Sequence, residues 1–131
     1  MSLQATLDAG LTDVPDCQAV CCVDFASGIV LAKSLRTPMP QEALDRLAAI
    51  GAKVLESAAL PATLAALGVQ PRTPGLPAFV CVVGRQATLV FARAENVPDQ
   101  FLCYSCGIGA GFVALSAAID LNRRQIAQAM Q

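Results

Sequence analysis

The sequence predicts an α/β domain of the α+β type: a five-stranded, mostly antiparallel sheet with helices on both faces, its elements running α-β-β-α-β-β-β-α. Three observations carry this. Five short apolar runs, rich in Val, Cys, Phe and Leu, are bounded by turn residues, the mark of strands. Three other segments repeat their apolar residues at helical spacing. The composition is 55% hydrophobic and only 15% charged, against about 25% charged in an ordinary domain. Strands that read as continuous apolar runs are buried on both faces, so the sheet needs helices above and below it. The 131 residues suit a single domain spanning 1–131.

Each element has its own local reason. Leu3, Leu7 and Leu11 stand four apart, a short helix over residues 3–12. "DVPD" (Asp13–Asp16) ends it, because proline disfavours helix in the residue before it. Ala19–Val23 is an apolar strand, "DFASG" supplies turn chemistry, and Ile29–Leu35 returns as a second strand. Asp24 can cap that turn and Gly28 can take a positive φ, which makes the pair a β-hairpin. A long helix starts near Pro40, with Glu42 and Asp45 at the positive end of its dipole. Leu44, Leu47, Ala48, Gly51, Val54, Leu55 and Ala58 share one face, widened by Ala43 and Ile50. The small residues Ala48 and Gly51 allow close approach of the helix to its neighbours. "LPATLAALG" is a second short helix or a continuation, with Pro61 at its start and Gly68 as its cap. Val69–Pro77 is a Pro/Gly loop. Ala78–Gly84 and Ala87–Ala94 are strands around a turn at Gly84, Arg85 and Gln86, and Phe101–Cys106 is a fifth strand. The closing helix offers Val113, Leu115, Ala117, Ile119, Leu121 and Ile126 for burial, with Arg123 and Arg124 toward its negative end.

Composition excludes several classes of function. Nine basic and ten acidic residues are scattered singly, with no basic stripe for nucleic acid. Histidine is absent, which removes the usual general base and the commonest metal ligand. No acid, base and nucleophile cluster in the sequence, so no enzyme is expected. Asp24 is the most tempting carboxylate, and a turn cap explains it more simply. Arg93 could stabilise a phosphate in trans, although the simpler expectation is an exposed arginine at a strand end. Met1–Gly10 lacks a basic start and a long apolar stretch, so no secretory signal is expected. The six cysteines in a core-rich chain do not resemble a disulfide framework, and a reducing cytoplasm is the expected setting.

The uncharged stretch "FLCYSCGIGAGFVALSAAI" (Phe101–Ile119) admits four readings. It is about long enough for a membrane span, but glycines interrupt it and no strong basic flank orients it. Gly107, Gly109 and Gly111 lack the spacing of a dinucleotide fingerprint and the lysine of a Walker loop. Cys103 and Cys106 have C-x-x-C spacing, and Cys17, Cys21 and Cys22 lie in or near the first strand. Residues three apart in a strand point to opposite faces, so Cys103 and Cys106 do not chelate one ion. Neither do they open a helix as redox motifs do. They are expected to fill core as small hydrophobes, with no metal and no cofactor bound. The remaining reading is a strand that turns through glycines into a helix.

The segment "VDFASGIVLAKS" (Val23–Ser34), an apolar strand, Asp, a short turn, Gly and a second strand, resembles the first hairpin of the roadblock / dynein light chain family. The long second helix, the three-strand meander and the closing helix are similar too, so the resemblance covers nearly the whole chain. Longin, profilin-like and PAS-type domains share related layouts. The resemblance implies a roadblock/profilin-like fold and a non-enzymatic role. Members form homodimers or heterodimers by pairing their long helices and extending their sheets edge to edge. Bacterial members act with Ras-like small GTPases as scaffolds or activators. A homodimer of this chain would bury Ala43, Leu47, Ile50 and Val54 against their own copies, although the same stripe can also pack on its own sheet. A small GTPase is the implied protein partner. Three features depart from the family: Pro61 within the long helix, the Pro-rich loop at Pro71–Pro77, and the cysteines. The alternative function is a PAS- or profilin-like small-molecule, redox or metal sensor that uses its cysteines.

Overall fold

Turn and cap chemistry decides where this chain reverses. The computed structural model describes residues 2–57, 59–69 and 79–131. Ser2 Oγ accepts the Ala5 amide at 3.1 Å and starts α1 (Leu3–Asp13). Asp16, in the left-handed region at φ 53°, leads into β1 (Cys17–Asp24). At the hairpin, Asp24 Oδ2 accepts from the Ser27 amide at 3.0 Å and from the Ser27 hydroxyl at 2.7 Å. Gly28 follows at φ +71°, where a side chain would be strained, and β2 (Val30–Leu35) returns. The hairpin expected from Asp24 and Gly28 is therefore present.

α2 (Gln41–Glu56) follows, with Pro40 as its N-cap residue. α3 (Ala59–Ala66) is the second short helix, and Gly68 beyond it takes φ +76°. The loop expected at Val69–Pro77 lies, after Val69, outside the described residues. β3 (Phe79–Val83), β4 (Thr88–Arg93) and β5 (Gln100–Cys106) form a meander, and α4 (Phe112–Ala129) closes the chain. The sheet order is β2-β1-β5-β4-β3 with every pair antiparallel. β5 is thus central, and β2 and β3 are the edges.

Alternation along β5 builds two cores. Leu102, Tyr104 and Cys106 face α1 and α4, packing with Leu7, Val20, Leu115, Ile119 and Ile126. Phe101 and Cys103 face α2, packing with Val23, Phe91, Leu44, Ala48 and Leu55. The three layers inferred from the apolar strands are present. β2 departs from that rule: as an edge it alternates, with Leu31 and Lys33 exposed.

α4 corrects the sequence expectation. Leu115, Ile119 and Ile126 are buried, but Val113, Ala117 and Leu121 face outward, with Val113 81% and Leu121 60% exposed. The packed face of α4 is set by Asn122 instead. Tyr104 donates from its hydroxyl to Asn122 Oδ1 at 2.7 Å, and Asn122 Nδ2 donates to the Thr6 carbonyl at 3.1 Å. Arg123 and Arg124 do not serve the helix C-terminus, whose last turn has no basic residue. They pair with Asp120 at 2.7 and 3.0 Å, one turn upstream.

The helix on the other face depends on one glycine. A Cβ at Gly51 would stand 2.6 Å from Phe101 Cε2 and 2.8 Å from Phe91 Cδ1. Both rings are buried, so α2 would have to lift. Gly51→Ala gains about 1 kcal/mol of helix propensity, but overpacking of this kind costs about 1–3 kcal/mol. We expect a net loss of up to about 2 kcal/mol, read as a lower urea midpoint at unchanged slope. On the opposite face, Tyr104→Phe leaves Asn122 Oδ1 without its donor. It should lower stability by about 1–2 kcal/mol in the same assay.

Candidate partner-binding interface

α2 presents two adjacent lines of residues. Leu44, Ala48, Gly51 and Leu55 are buried on the sheet. The next line is Ala43, Leu47, Ile50 and Val54. Ala43 is exposed, Leu47 and Val54 are half-buried, and Ile50 is 49% exposed. One helix thus packs its own sheet and still offers an apolar line to its surroundings. Polar groups rim that line on its solvent side: the exposed Glu42–Arg46 pair at 2.8 Å and exposed Lys53. An exposed pair of this kind contributes little to stability.

The sheet edge on the β3 side is also apolar. Val80 belongs to the core beneath α2, so alternation puts Val82 on that same side. Val82 is 44% and Val83 75% exposed. Composition alone did not single out this edge. The signal was available in "FVCVV", a strand with no charge in it.

Arg93 lies on the α2 side of the sheet and is not the exposed strand-end residue expected. Its Nη2 donates to the Leu55 carbonyl at 2.6 Å, and its guanidinium lies over the Phe25 ring at 5.2 Å. Phe25 in turn packs on Phe101 with ring centroids 4.5 Å apart. Arg93 therefore ties β4 to the last turn of α2 and to the hairpin loop, and its Nε is buried without a partner. Burial lowers its pKa, opposed by the nearby Glu56 charge.

The glycine stretch turns β5 into α4 by close approach. No positive φ is used at Gly107, Gly109 or Gly111. A Cβ at Gly107 would collide with the Asp16 carboxylate, and the Gly107 amide donates to the Asp16 carbonyl at 2.9 Å. The uncharged stretch is split between strand and helix, and among the described residues no helix is long and apolar enough to cross a membrane.

Cys103 and Cys106 face opposite cores, as the period of a strand requires. Among the described residues, no three Cys, Asp or Glu side chains gather as a metal site. Burial pushes the Cys21 and Cys22 thiols up to about 11 from the ordinary value of 9.0, and it also raises Cys103. These thiols stay protonated in the folded chain while unfolded thiols ionise, so the folded state binds more protons and stability falls as pH rises. The unfolding free energy read from denaturant titrations should hold from pH 6 to 8, then drop between about pH 9 and 11 by roughly 2 kcal/mol per thiol. Cys21→Ala or Cys22→Ala should flatten that drop.

No family model matches the sequence, and no curated protein matches it. Solved structures do match. The gliding protein MglB from Thermus thermophilus is 19% identical, covering 97% of this chain and 87% of that one, with a TM-score of 0.74. An MglB structure described as having a tetrameric arrangement is 19% identical, covering 97% and 86%, at 0.73. A Roadblock/LC7 domain from Streptomyces avermitilis is 14% identical, covering 99% and 98%, at 0.70. The chain has a roadblock-domain fold.

Proposed function

We propose that this chain, folded as a roadblock domain, is a non-enzymatic, cytoplasmic homodimeric scaffold that regulates a Ras-like small GTPase. The observations that carry the reading are the partly uncovered apolar line Ala43, Leu47, Ile50 and Val54 on α2 and the uncharged edge strand β3. An unpaired edge strand is a template for pairing, and a two-fold axis lets one surface serve both copies. The tetrameric arrangement described for one MglB structure supports self-association of this fold. The GTPase follows from the family resemblance of the hairpin and of the element order. Dimerisation through α2 and β3 leaves α4, with exposed Phe112, Val113 and Leu121, available to a different protein.

Light scattering at micromolar concentration should give twice the chain mass. Ile50→Asp puts a charge at the centre of the line without touching the buried face of α2. It should weaken the dimer by at least about 100-fold while leaving the circular dichroism spectrum unchanged. A wild-type monomer would remove the dimer. The GTPase role rests on a second measurement. The wild-type dimer, mixed with a Ras-like GTPase encoded beside it, should form a complex or change its rate of GTP hydrolysis. If it does neither, the regulatory reading fails while the dimer stands.

A further inference from the structure

Two pairs of cysteines face each other directly across the β1–β5 seam: Cys17 opposite Cys106, and Cys21 opposite Cys103. Directly opposed residues in an antiparallel pair have Cα atoms about 4.5–5.5 Å apart. Disulfides span Cα separations of about 4.4–6.8 Å. Both pairs therefore meet the backbone requirement, and the C-x-x-C pair of the sequence, split between two faces, does not. The useful partner of Cys106 stands 89 positions earlier in the chain, not three.

The two pairs differ in setting. Cys21 and Cys103 lie mid-strand beneath α2, in the core with Phe91 and Phe101. Cys17 is the first residue of β1 and Cys106 the last of β5. Their chain neighbours are exposed Asp16 and half-buried Gly107. The register of β1 slips between Cys17 and Ala19, a bulge of the kind that loosens a ladder and re-aims a side chain. Cys17 Sγ donates to the Ala19 carbonyl at 3.5 Å, and Arg36 Nε donates to the Cys17 carbonyl at 3.0 Å, which brings a guanidinium close to this thiol.

We propose that Cys17 and Cys106 form a reversible cross-strand disulfide, a redox switch that clamps the start of β1 to the end of β5. The hydrogen bond from Cys106, with Arg36 nearby, lowers the proton affinity of Cys17, while the same bond and burial raise that of Cys106. Cys17 is thus the attacking sulfur. Its thiolate displaces one half of a small disulfide such as oxidised glutathione, giving a mixed disulfide on Cys17 and one free thiolate. Cys106 then gives up its proton and attacks the Cys17 sulfur, releasing the second thiol. Both cysteines are oxidised, one small disulfide is reduced to two thiols, and the chain loses two hydrogens. Both thiols are buried in the folded chain, so the exchange runs through local opening where β1 begins and β5 ends.

The test incubates the folded, reduced full chain with oxidised glutathione at neutral pH, followed by acid quench, alkylation and peptide mapping. The expected product lacks two hydrogens and carries a Cys17–Cys106 cross-link, with the other four cysteines alkylated. Closing so long a loop should raise Tm by on the order of 10 °C, reversed by dithiothreitol. Cys106→Ser should trap glutathione on Cys17, and Cys17→Ser should leave Cys106 unmodified. The map of the wild-type chain decides even if a variant folds poorly. A Cys21–Cys103 or Cys103–Cys106 cross-link, or a chain unchanged after hours in oxidant, overturns the proposal. The result is independent of whether the chain binds a GTPase.

Discussion

The hydroxyl of Tyr104 is fully buried, and the layer above that face of the sheet is arranged around the need to give it a partner. A tyrosine on the central strand brings a large apolar ring to the core together with one polar atom that costs about 1–3 kcal/mol if left alone. Asn122 accepts from it and donates onward to Thr6, so one side chain joins β5, α4 and α1. The arrangement fixes small details elsewhere. A Cβ at Gly10 would stand 2.5 Å from Asn122 Oδ1, so α1 must carry a glycine there. α4 must rotate so that Asn122 points inward, which leaves Val113, Ala117 and Leu121 facing out.

The two faces of the sheet are covered unequally. α1 and α4 share one face and lock together through Asn122. The other face has α2, pressed against Phe91 and Phe101 at Gly51. Arg93 holds the last turn of α2 by its Leu55 carbonyl. A single close-packed helix buries one line of its residues and leaves the next line standing at the shoulder of the sheet. The surplus of apolar residues noticed in the composition is therefore not spread evenly. Much of it lies on this shoulder, along the uncharged β3 edge, and on the outer side of α4.

What was legible in the sequence was local. Asp24, Ser27 and Gly28 specify a turn within five residues, and the period of a strand separates Cys103 from Cys106 without any tertiary knowledge. What was illegible needed partners distant in the chain. The outer and inner faces of α4 are both rich in Ala, Val, Leu and Ile, so periodicity could not choose between them, and the choice was made by a hydrogen bond to Tyr104. Arg93 looked like an exposed strand end because its acceptor, Leu55, lies 38 positions away. The opposition of Cys17 and Cys106 depends on strand order and on a one-residue bulge, neither of which leaves a mark in the sequence.

The two sheet edges are finished differently. An edge strand that must stay single is usually blunted by charge or capped by other groups. β2 is treated this way. Lys33 projects from it, Gln4 Nε2 donates to the Lys33 carbonyl at 3.0 Å, Ser34 Oγ donates to Asp8 at 2.7 Å, and Arg36 at its end donates to the Leu11 carbonyl at 2.9 Å. β3 has no charged residue, and Val82 and Val83 stand open on it. On β3, Val80 packs in the core beneath α2 and Val82 follows on that same face of the sheet. A chain that had to remain alone would gain solubility from a lysine in β3 at little cost. Val82 and Val83 on β3 and Ile50 on α2 remain exposed in the single chain, and the proposed dimer rests on these surfaces.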